Sequence, residues 1–242
     1  MVLTVAFAVF VACVAYFVIS YLQYKSINDF GSSYLTSTVS SEIKVKTVDV
    51  PVDFSKLKSV NDEIYAWINI PGTNIDYPIL QSKTHRSFYL DHNVEKKKSS
   101  YGAIYTQDYN TMTFEDYNTV IYGHNMKNGT MFGSLKKYRD RAFFDQNQYI
   151  YIYMPGVILK YRIFAAYTFD DRHILLSFDF SDEDDRRLYL DEIYSIRSLN
   201  SNFRDDITVG VNDKIITLST CTSKDDERFL VQGVLVYDSR NP

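Results

Sequence analysis

The pattern of hydrophobic and polar positions divides the chain into three parts. The first 22 residues, MVLTVAFAVFVACVAYFVISYL, contain no charged side chain. As a helix, this segment would span roughly 30 Å, the hydrocarbon thickness of a bilayer. Residues 25–50 are rich in Ser and Thr and lack apolar periodicity, as is typical of a stalk. We therefore predict a transmembrane anchor at 1–24, a stalk at 25–50 and one folded domain at 51–242.

The N-terminal segment has two other interpretations. A cleaved signal peptide would have a basic region before the apolar run and a small-x-small site after it, and neither is evident. Cys13 in FVAC has a faint likeness to a lipoprotein cleavage site, although Phe10 stands where a branched aliphatic residue is expected. Lys25 alone would favour the opposite orientation by the positive-inside rule. Because a large domain can be exported regardless, the charges leave the topology open.

Short apolar runs separated by turn residues fill the folded domain. Its first segment, VDFSKLKSVNDEIYAW, places Phe54, Leu57, Val60 and Ile64 at helical spacing. The later runs are β-branched and aromatic, which predicts strands and a mainly β fold, a closed or nearly closed barrel. The predicted strands are AWINI, IDYPILQ, GAIYTQ, NTVIYG, a hairpin within YIYIYMPGVILKYRIFAAYTF, DITVGV, KIITLSTC and FLVQGVLVYD.

One helix interrupts this series of strands. In SDEDDRRLYLDEIYSIRSLN, Ser181 is expected to cap the helix and Asp184 to complete a capping box. The acidic run favours the positive end of the helix dipole, so it is a helix start and not a calcium loop. Apolar residues at helical spacing extend the predicted helix over 182–199.

Composition limits the classes of function. The net formal charge of −4 gives no sign of a nucleic-acid partner. The four histidines are scattered without metal-ligand spacing, so we expect neither a metal nor another cofactor. The chain has two cysteines, and Cys13 lies within the apolar N-terminal segment. Cys221, in TLSTC, therefore has no disulfide partner within the folded domain.

The isolated thiol of Cys221 has two interpretations. A lone cysteine is commonly buried and inert. Cys221, however, follows a strand-like run and precedes the polar loop TSKDDER. A thiol at the exit of a strand can be exposed on a rigid base, which is where a nucleophile is useful.

A cysteine nucleophile needs a proton carrier and an oxyanion-stabilising group. His124 is the best candidate for the carrier, because it ends the strand-like NTVIY, and Gly123 before it is expected to permit an unusual backbone conformation. Arg228 begins the strand after Cys221 and can lie beside the thiol. Pairing of Arg228 with Asp225 or Asp226 on the surface is the alternative. The remaining histidines are expected on the surface: His85, His92 and His173.

Three segments together resemble the sortases, specifically class B. They are TLSTC followed by ERFLVQGVLV, the upstream NTVIYGHNMKNGTMFGSLKKY, and WINIPGTNIDYPILQ. The resemblance implies an eight-stranded β-barrel with an N-terminal helical extension and a helix between the sixth and seventh strands, where 182–199 falls. It also implies a single-pass protein whose catalytic domain faces the outside of a Gram-positive cell membrane.

The resemblance assigns roles to particular residues. Cys221 matches the nucleophile, His124 the general acid/base and Arg228 the oxyanion- or substrate-stabilising group; Ser219 and Thr220 become candidate substrate contacts. The implied reaction cleaves an NPxTx-like sorting motif at the C-terminal end of secreted proteins. The acyl group then passes to an amine of peptidoglycan or its lipid-linked precursor. Only six residues separate Cys221 from Arg228, a short loop for class B, so the family's loop contacts are not carried over.

Two alternatives keep part of this account. A cysteine endopeptidase would use the same site with water as the acceptor, although papain-like enzymes place Cys before His, the reverse of the order here. A non-catalytic surface module would bind peptide along an exposed strand edge and would have no use for Cys221.

Overall fold

The computed structural model describes residues 2–35, 48–198 and 200–241. The α-helices of these residues are α1 (Val2–Tyr34), α2 (Phe54–Val60), α3 (Arg141–Gln146), α4 (Ile174–Ser177) and α5 (Glu183–Ser195). The strands are β1 (Ile64–Ile70), β2 (Ile75–Gln81), β3 (Ile104–Thr106), β4 (Asn118–Tyr122), β5 (Tyr149–Met154), β6 (Val157–Asp170), β7 (Asn202–Phe203), β8 (Ile215–Cys221) and β9 (Glu227–Asp238). Two 3₁₀ helices cover Phe88–Leu90 and Gly133–Arg139.

Eight of these strands close into a barrel. Their order around it is β5-β1-β2-β3-β4-β8-β9-β6, and pairing of β5 with β6 completes the ring. The β2–β3 and β4–β8 pairs are parallel. The short β7 pairs with β6 outside the ring, and α4 and α5 precede it in the chain. The structure thus confirms the eight-stranded barrel and the helix between the sixth and seventh barrel strands.

Both faces of the barrel wall are packed at β8. Alternate residues of a strand point to opposite sides. Ile216 and Leu218 join the core inside the barrel, whereas Ile215 points outwards to a second core. Tyr189 and Ile193 of α5 cover this second core and are fully buried. Because β8 is packed on both sides, the strand is a rigid support for the residue at its end.

A paired polar network also ties α5 to the barrel wall. The Tyr189 hydroxyl accepts hydrogen bonds from Asn118 Nδ2 (3.2 Å) and Gln232 Nε2 (2.7 Å). Gln232 Nε2 also donates to Thr217 Oγ1 (2.8 Å), on β8. Burial raises the pKa of Tyr189, so this hydroxyl stays protonated over the ordinary pH range. A buried network with its partners satisfied fixes one arrangement of the helix on the wall.

Helix α1 extends beyond the predicted anchor. Val9–Tyr34 is long and apolar enough, by length and composition, to cross a membrane. Large apolar side chains between Phe7 and Leu22, such as Phe10 and Phe17, are exposed. Further along, Ile27, Phe30 and Tyr34 pack against the cores of the domain. Residues 25–34 of the predicted stalk are therefore helical, and residues 36–47 of it lie outside the described residues.

The predicted caps and ends of two helices need correction. Asp182, not Ser181, caps α5, because its carboxylate accepts from the amides of Asp184 (2.8 Å) and Asp185 (3.1 Å). The Ser181 hydroxyl instead donates to Asp179 (2.6 Å). Helix α5 ends at Ser195, four residues before the predicted end, and residue 199 lies outside the described part. Helix α2 ends at Val60, and Ile64 already belongs to β1.

The predicted strand DITVGV is wrong. Residues 206–211 form turns and irregular backbone, and the two-residue β7 stands before them. Ile207, Val209 and Val211 nevertheless all pack against the second core. The alternation in this segment therefore reflects burial of every second side chain on the surface of the barrel, without pairing to a neighbouring strand.

Candidate active site

Three neighbouring strands bring His124, Cys221 and Arg228 into one row. On antiparallel β8 and β9, Cys221 lies directly opposite Arg228. On parallel β4 and β8, Tyr122 pairs with Ser219, and the Gly123 amide continues the ladder by donating to the Ser219 carbonyl (3.2 Å). Cys221 ends β8, His124 follows the end of β4 by two residues, and both line the same cleft. Since adjacent strands lie about 4.8 Å apart, the three side chains start within reach of one another.

Gly123 is required for space. An added Cβ would lie 2.5 Å from Ile104 Cδ1 and 2.8 Å from the ring of Phe132. Gly123 is not among the residues with positive φ, so the expected unusual backbone conformation is wrong. Thr220 of β8 also holds this segment in place, because its hydroxyl donates to the Gly123 carbonyl (2.7 Å). The backbone before His124 is therefore packed tightly against the barrel.

The ring of His124 has a fixed partner on one side. Its Nε2 lies 2.6 Å from the carbonyl oxygen of Leu90. A carbonyl oxygen only accepts, so this contact assigns the proton to Nε2. In the neutral ring Nδ1 is then the nitrogen that can accept a hydrogen bond.

The thiol of Cys221 is exposed, and its backbone is held from the His124 side. Asn125 Nδ2 donates to the Cys221 carbonyl (2.8 Å) across the two strand ends. Asn125 was not among the predicted site residues, although it belongs to the same YGHNM motif as His124. Its amide links the histidine segment to the cysteine and so keeps their separation constant.

Arg228 is half-buried and is held by backbone oxygens. Its Nη1 donates to the carbonyls of Asp225 (2.8 Å) and Glu227 (2.9 Å). Within the described residues it forms no salt bridge with the carboxylates of Asp225 or Asp226. In the described part of the chain neither Nε nor Nη2 of Arg228 donates a hydrogen bond, so these donors can bind a ligand oxygen beside Cys221.

These three side chains line a single open cleft of about 280 Å³. Tyr105 and Tyr122 of β3 and β4 contribute to its lining, together with the segment that follows β6. Their rings stack with a centroid separation of 5.4 Å. The arrangement is an exposed thiol with a histidine on one side and an arginine on the other, on rigid strand ends.

Comparisons with known proteins agree with this geometry. The sortase-domain family model matches residues 68–236. A curated sortase B of Listeria monocytogenes is 37% identical over 205 residues, which are 83% of this chain and 78% of that protein. The chain belongs to the sortase family.

Solved structures extend the similarity to three dimensions. A Clostridium perfringens sortase B superposes with a TM-score of 0.68 at 36% identity, covering 76% of this chain and all of that one. A sortase B of Bacillus anthracis in complex with AAEK1 gives a TM-score of 0.76 at 31% identity, covering 91% and 99%. The sortase described here is therefore a class B-type cysteine transpeptidase of the cell-wall sorting kind, as the motifs predicted.

The two predicted substrate contacts of the sortase differ in their surroundings. Ser219 shares the outward face of β8 with Cys221 and lines the cleft. Thr220 also lines the cleft, but its hydroxyl is already donated to Gly123. Among the residues that the structure describes, the Ser219 hydroxyl has no hydrogen-bond partner, and it lies on the face of β8 that carries the thiol.

His173 lines the cleft of the sortase and is half-buried. Its Nε2 lies 2.6 Å from Gln107 Oε1, and its ring meets that of Tyr109 edge-on. Burial lowers the pKa of His173, which favours the neutral ring near pH 7. The sequence did not predict that His173 lines the cleft. The charged residues around it do not indicate how the segment after β6 folds over the cleft.

Proposed function

We propose that this sortase cleaves a short NPxTx-like sorting motif of secreted proteins through a thioester on Cys221. It then transfers the acyl group to an amine of peptidoglycan or its lipid-linked precursor. The observation that carries the proposal is the row of His124, Cys221 and Arg228 across three adjacent strand ends, open to one cleft. An exposed thiol, a proton carrier and a fixed cation are the groups that acyl transfer through a thioester needs.

In the first half-reaction the Cys221 thiolate attacks the carbonyl carbon of the motif's threonine. A C–S bond forms and the carbonyl becomes an oxyanion, which Arg228 stabilises with its N–H donors and charge. The C–N bond then breaks as His124 gives the proton on Nδ1 to the departing amine. The products are a thioester on Cys221 and the released C-terminal part of the substrate.

In the second half-reaction an amine attacks the thioester carbonyl. His124, now neutral at Nδ1, accepts the proton that the attacking amine loses. Arg228 again faces the oxyanion, the C–S bond breaks, and the Cys221 thiolate is restored. Thioesters react readily with amines, which suits a thiol to an exchange of one amide bond for another.

We further propose that α1 anchors the sortase in the membrane, with the catalytic domain on the outer surface of a Gram-positive cell. The support is the charge-free segment 1–22 and the exposure of large apolar side chains between Phe7 and Leu22. The last turns of α1 pack on the domain through Ile27, Phe30 and Tyr34. The same helix would therefore both cross the bilayer and support the catalytic domain.

Deletion of residues 1–24 is expected to leave a soluble, folded and active domain. The deletion removes two hydrogen bonds at the domain surface, from Tyr101 to Ser20 and from Ser100 to Gln23, and it spares the packed turns of α1. Melting temperature and peptide turnover of the truncated protein measure this. Deletion of residues 1–35 is the matched control, since loss of the packed side chains should lower the melting temperature by several degrees. Aggregation or inactivity of the shorter deletion would show that the boundary at residue 24 is wrong.

The proposed reaction is tested with a small library of sorting-type peptides, incubated with the sortase with and without amine acceptors and read by mass spectrometry. We expect cleavage after threonine of NPxTx-like peptides and an amide product when an amine is present. Hydrolysis alone, unchanged by any amine, would favour an endopeptidase. Binding of peptide without cleavage would favour a non-catalytic module.

A further inference from the structure

The contact between His124 and Leu90 joins two distant parts of the chain. Leu90 ends the 3₁₀ helix Phe88–Leu90, which lies between β2 and β3, and His124 follows β4. Because the Leu90 carbonyl lies 2.6 Å from His124 Nε2, its position decides which ring nitrogen carries the fixed proton. Any group that holds this carbonyl therefore acts on the chemistry of His124 without touching the substrate.

Gly102 allows the carbonyl to reach the ring. A Cβ at Gly102 would lie 2.6 Å from the carbonyl oxygens of both Tyr89 and Leu90, and 3.1 Å from His124 Cδ2. Gly102 also has φ +57°, a conformation that residues with side chains rarely adopt. A side chain at this position would separate the carbonyl from the imidazole.

Tyr89 fixes the 3₁₀ helix from the opposite side. Its side chain is fully buried, and its hydroxyl donates to the Glu63 carboxylate and accepts from Asn61 Nδ2 (2.8 Å). The Tyr89 carbonyl in turn accepts from the Ala103 amide (2.9 Å), next to Gly102. The residue before Leu90 is thus tied both to the start of β1 and to the segment that leads into β3.

Glu63 is a buried carboxylate with several partners. It is 5% exposed, accepts from the Lys83 amide (3.1 Å) and lies 3.3 Å from Lys96 Nζ. Burial alone would raise its pKa, but hydrogen bonds from Tyr89, Lys83 and Lys96 outweigh burial and hold the pKa below its ordinary value. The Glu63 carboxylate, which accepts the hydrogen bond from the Tyr89 hydroxyl, is therefore ionised near neutral pH. Its charge strengthens that hydrogen bond.

We propose that Glu63, Tyr89 and Gly102 are positioning residues that press the Leu90 carbonyl against His124 and keep its ring in the Nε2–H form. This backbone carbonyl then has the orienting role that a carboxylate or amide side chain has in other triads. The inference rests on the proposed role of His124 as proton carrier. It adds the reason why Nδ1, and not Nε2, exchanges protons with the departing and attacking amines.

The variants Gly102→Ala and Tyr89→Phe test the proposal in the full chain. Gly102→Ala is expected to lower kcat/KM roughly 10²-fold, the scale of a misplaced catalytic group, mainly through kcat. Tyr89→Phe keeps the ring and loses only the bond to Glu63, so a fall of about tenfold is expected. Tyr65→Phe is the matched control, since it removes another buried hydroxyl hydrogen bond (to Thr106, 2.9 Å) away from His124.

A second measurement reports the tautomer directly. The ¹⁵N shifts of histidine-labelled protein, recorded at a pH where the imidazole is neutral and assigned with His124→Ala, distinguish a protonated from a bare ring nitrogen. We expect a protonated Nε2 and a bare Nδ1 at His124 in the wild type and in Tyr65→Phe. Tyr89→Phe and Gly102→Ala should shift the signals towards a mixture of both tautomers.

The outcomes separate this inference from the proposed function. A wild type with its proton on Nδ1, or variants with unchanged tautomer and unchanged rate, would overturn the positioning role. Equal losses of rate in Tyr65→Phe and Tyr89→Phe with an unchanged tautomer would also overturn it, because they would indicate destabilisation alone. If the wild type turned over no peptide, the proposed function would fail, while the ¹⁵N shifts would still decide the tautomer.

Discussion

Cys221→Ala is expected to abolish both peptide cleavage and acyl transfer. The substitution removes the atom that forms the thioester, and loss of a nucleophile costs on the order of 10⁶-fold in related hydrolytic mechanisms. The fold should be preserved, because the Cys221 side chain is exposed and the strand beneath it is packed on both faces. Product formation from a sorting-type peptide, with and without an amine, measures the effect.

The natural control for this variant is the other cysteine. Cys13 is exposed on the apolar part of α1, away from the cleft, so Cys13→Ala should keep wild-type rates in both assays. Both variants should retain the wild-type melting temperature. Substantial turnover by Cys221→Ala would rule out the thioester mechanism.

Arg228→Lys is expected to lower kcat/KM by about 10²-fold or more. Lysine keeps the positive charge but loses the planar set of donors that can bind two backbone carbonyls and still face an oxyanion. Loss of a single oxyanion donor has an effect of this size in other acyl-transfer enzymes. The melting temperature should fall by a few degrees at most, because the bonds to the Asp225 and Glu227 carbonyls are each worth about 1 kcal/mol and lysine can keep one of them.

Arg187→Lys provides the comparison for the arginine variant. Arg187 is exposed on α5 and pairs with Glu183 and Asp184, so lysine should replace it without kinetic effect. A near-normal rate for Arg228→Lys would mean that geometry at this position is unimportant, and backbone N–H groups near Cys221 would then have to stabilise the oxyanion. A large fall in melting temperature with a proportionate fall in rate would assign Arg228 a structural role.

The strands of the barrel could be predicted because each combines β-branched and aromatic residues with clear turn boundaries. DITVGV shows the limit of this signal: its alternation records burial against the second core, and a strand also needs a partner with free backbone groups. The cap of α5 shows a second limit. Ser181 and Asp182 are both good capping residues. Asp182 caps the helix because the Ser181 hydroxyl donates its hydrogen bond to Asp179 instead.

The site was predictable where it depends on side-chain identity. The motifs marked Cys221, His124 and Arg228 as candidates; the structure adds the pairing of β4, β8 and β9, which brings all three to one cleft. The Leu90 carbonyl could not be predicted in this way, since every residue has a carbonyl and only the fold shows which one meets the imidazole.

Two glycines also show which features the sequence can predict and which only the fold reveals. Gly123 was expected to serve backbone conformation, but it leaves room for Ile104 and Phe132 instead. Gly102 has the positive φ and was not singled out. A glycine in the sequence indicates a constraint, whereas the neighbours that create the constraint come from segments far apart in the chain.

The central claim, that Cys221 carries the acyl group between substrate and amine, is tested most directly by intact-protein mass spectrometry. The sortase is mixed with an NPxTx-like peptide without amine, quenched in acid and digested to locate the modification. We expect an added mass equal to the peptide's N-terminal acyl part, located on Cys221. We also expect loss of that mass on addition of an amine, with one equivalent of new amide product. Cleavage with no adduct on Cys221, or an adduct that amines do not discharge, would contradict it.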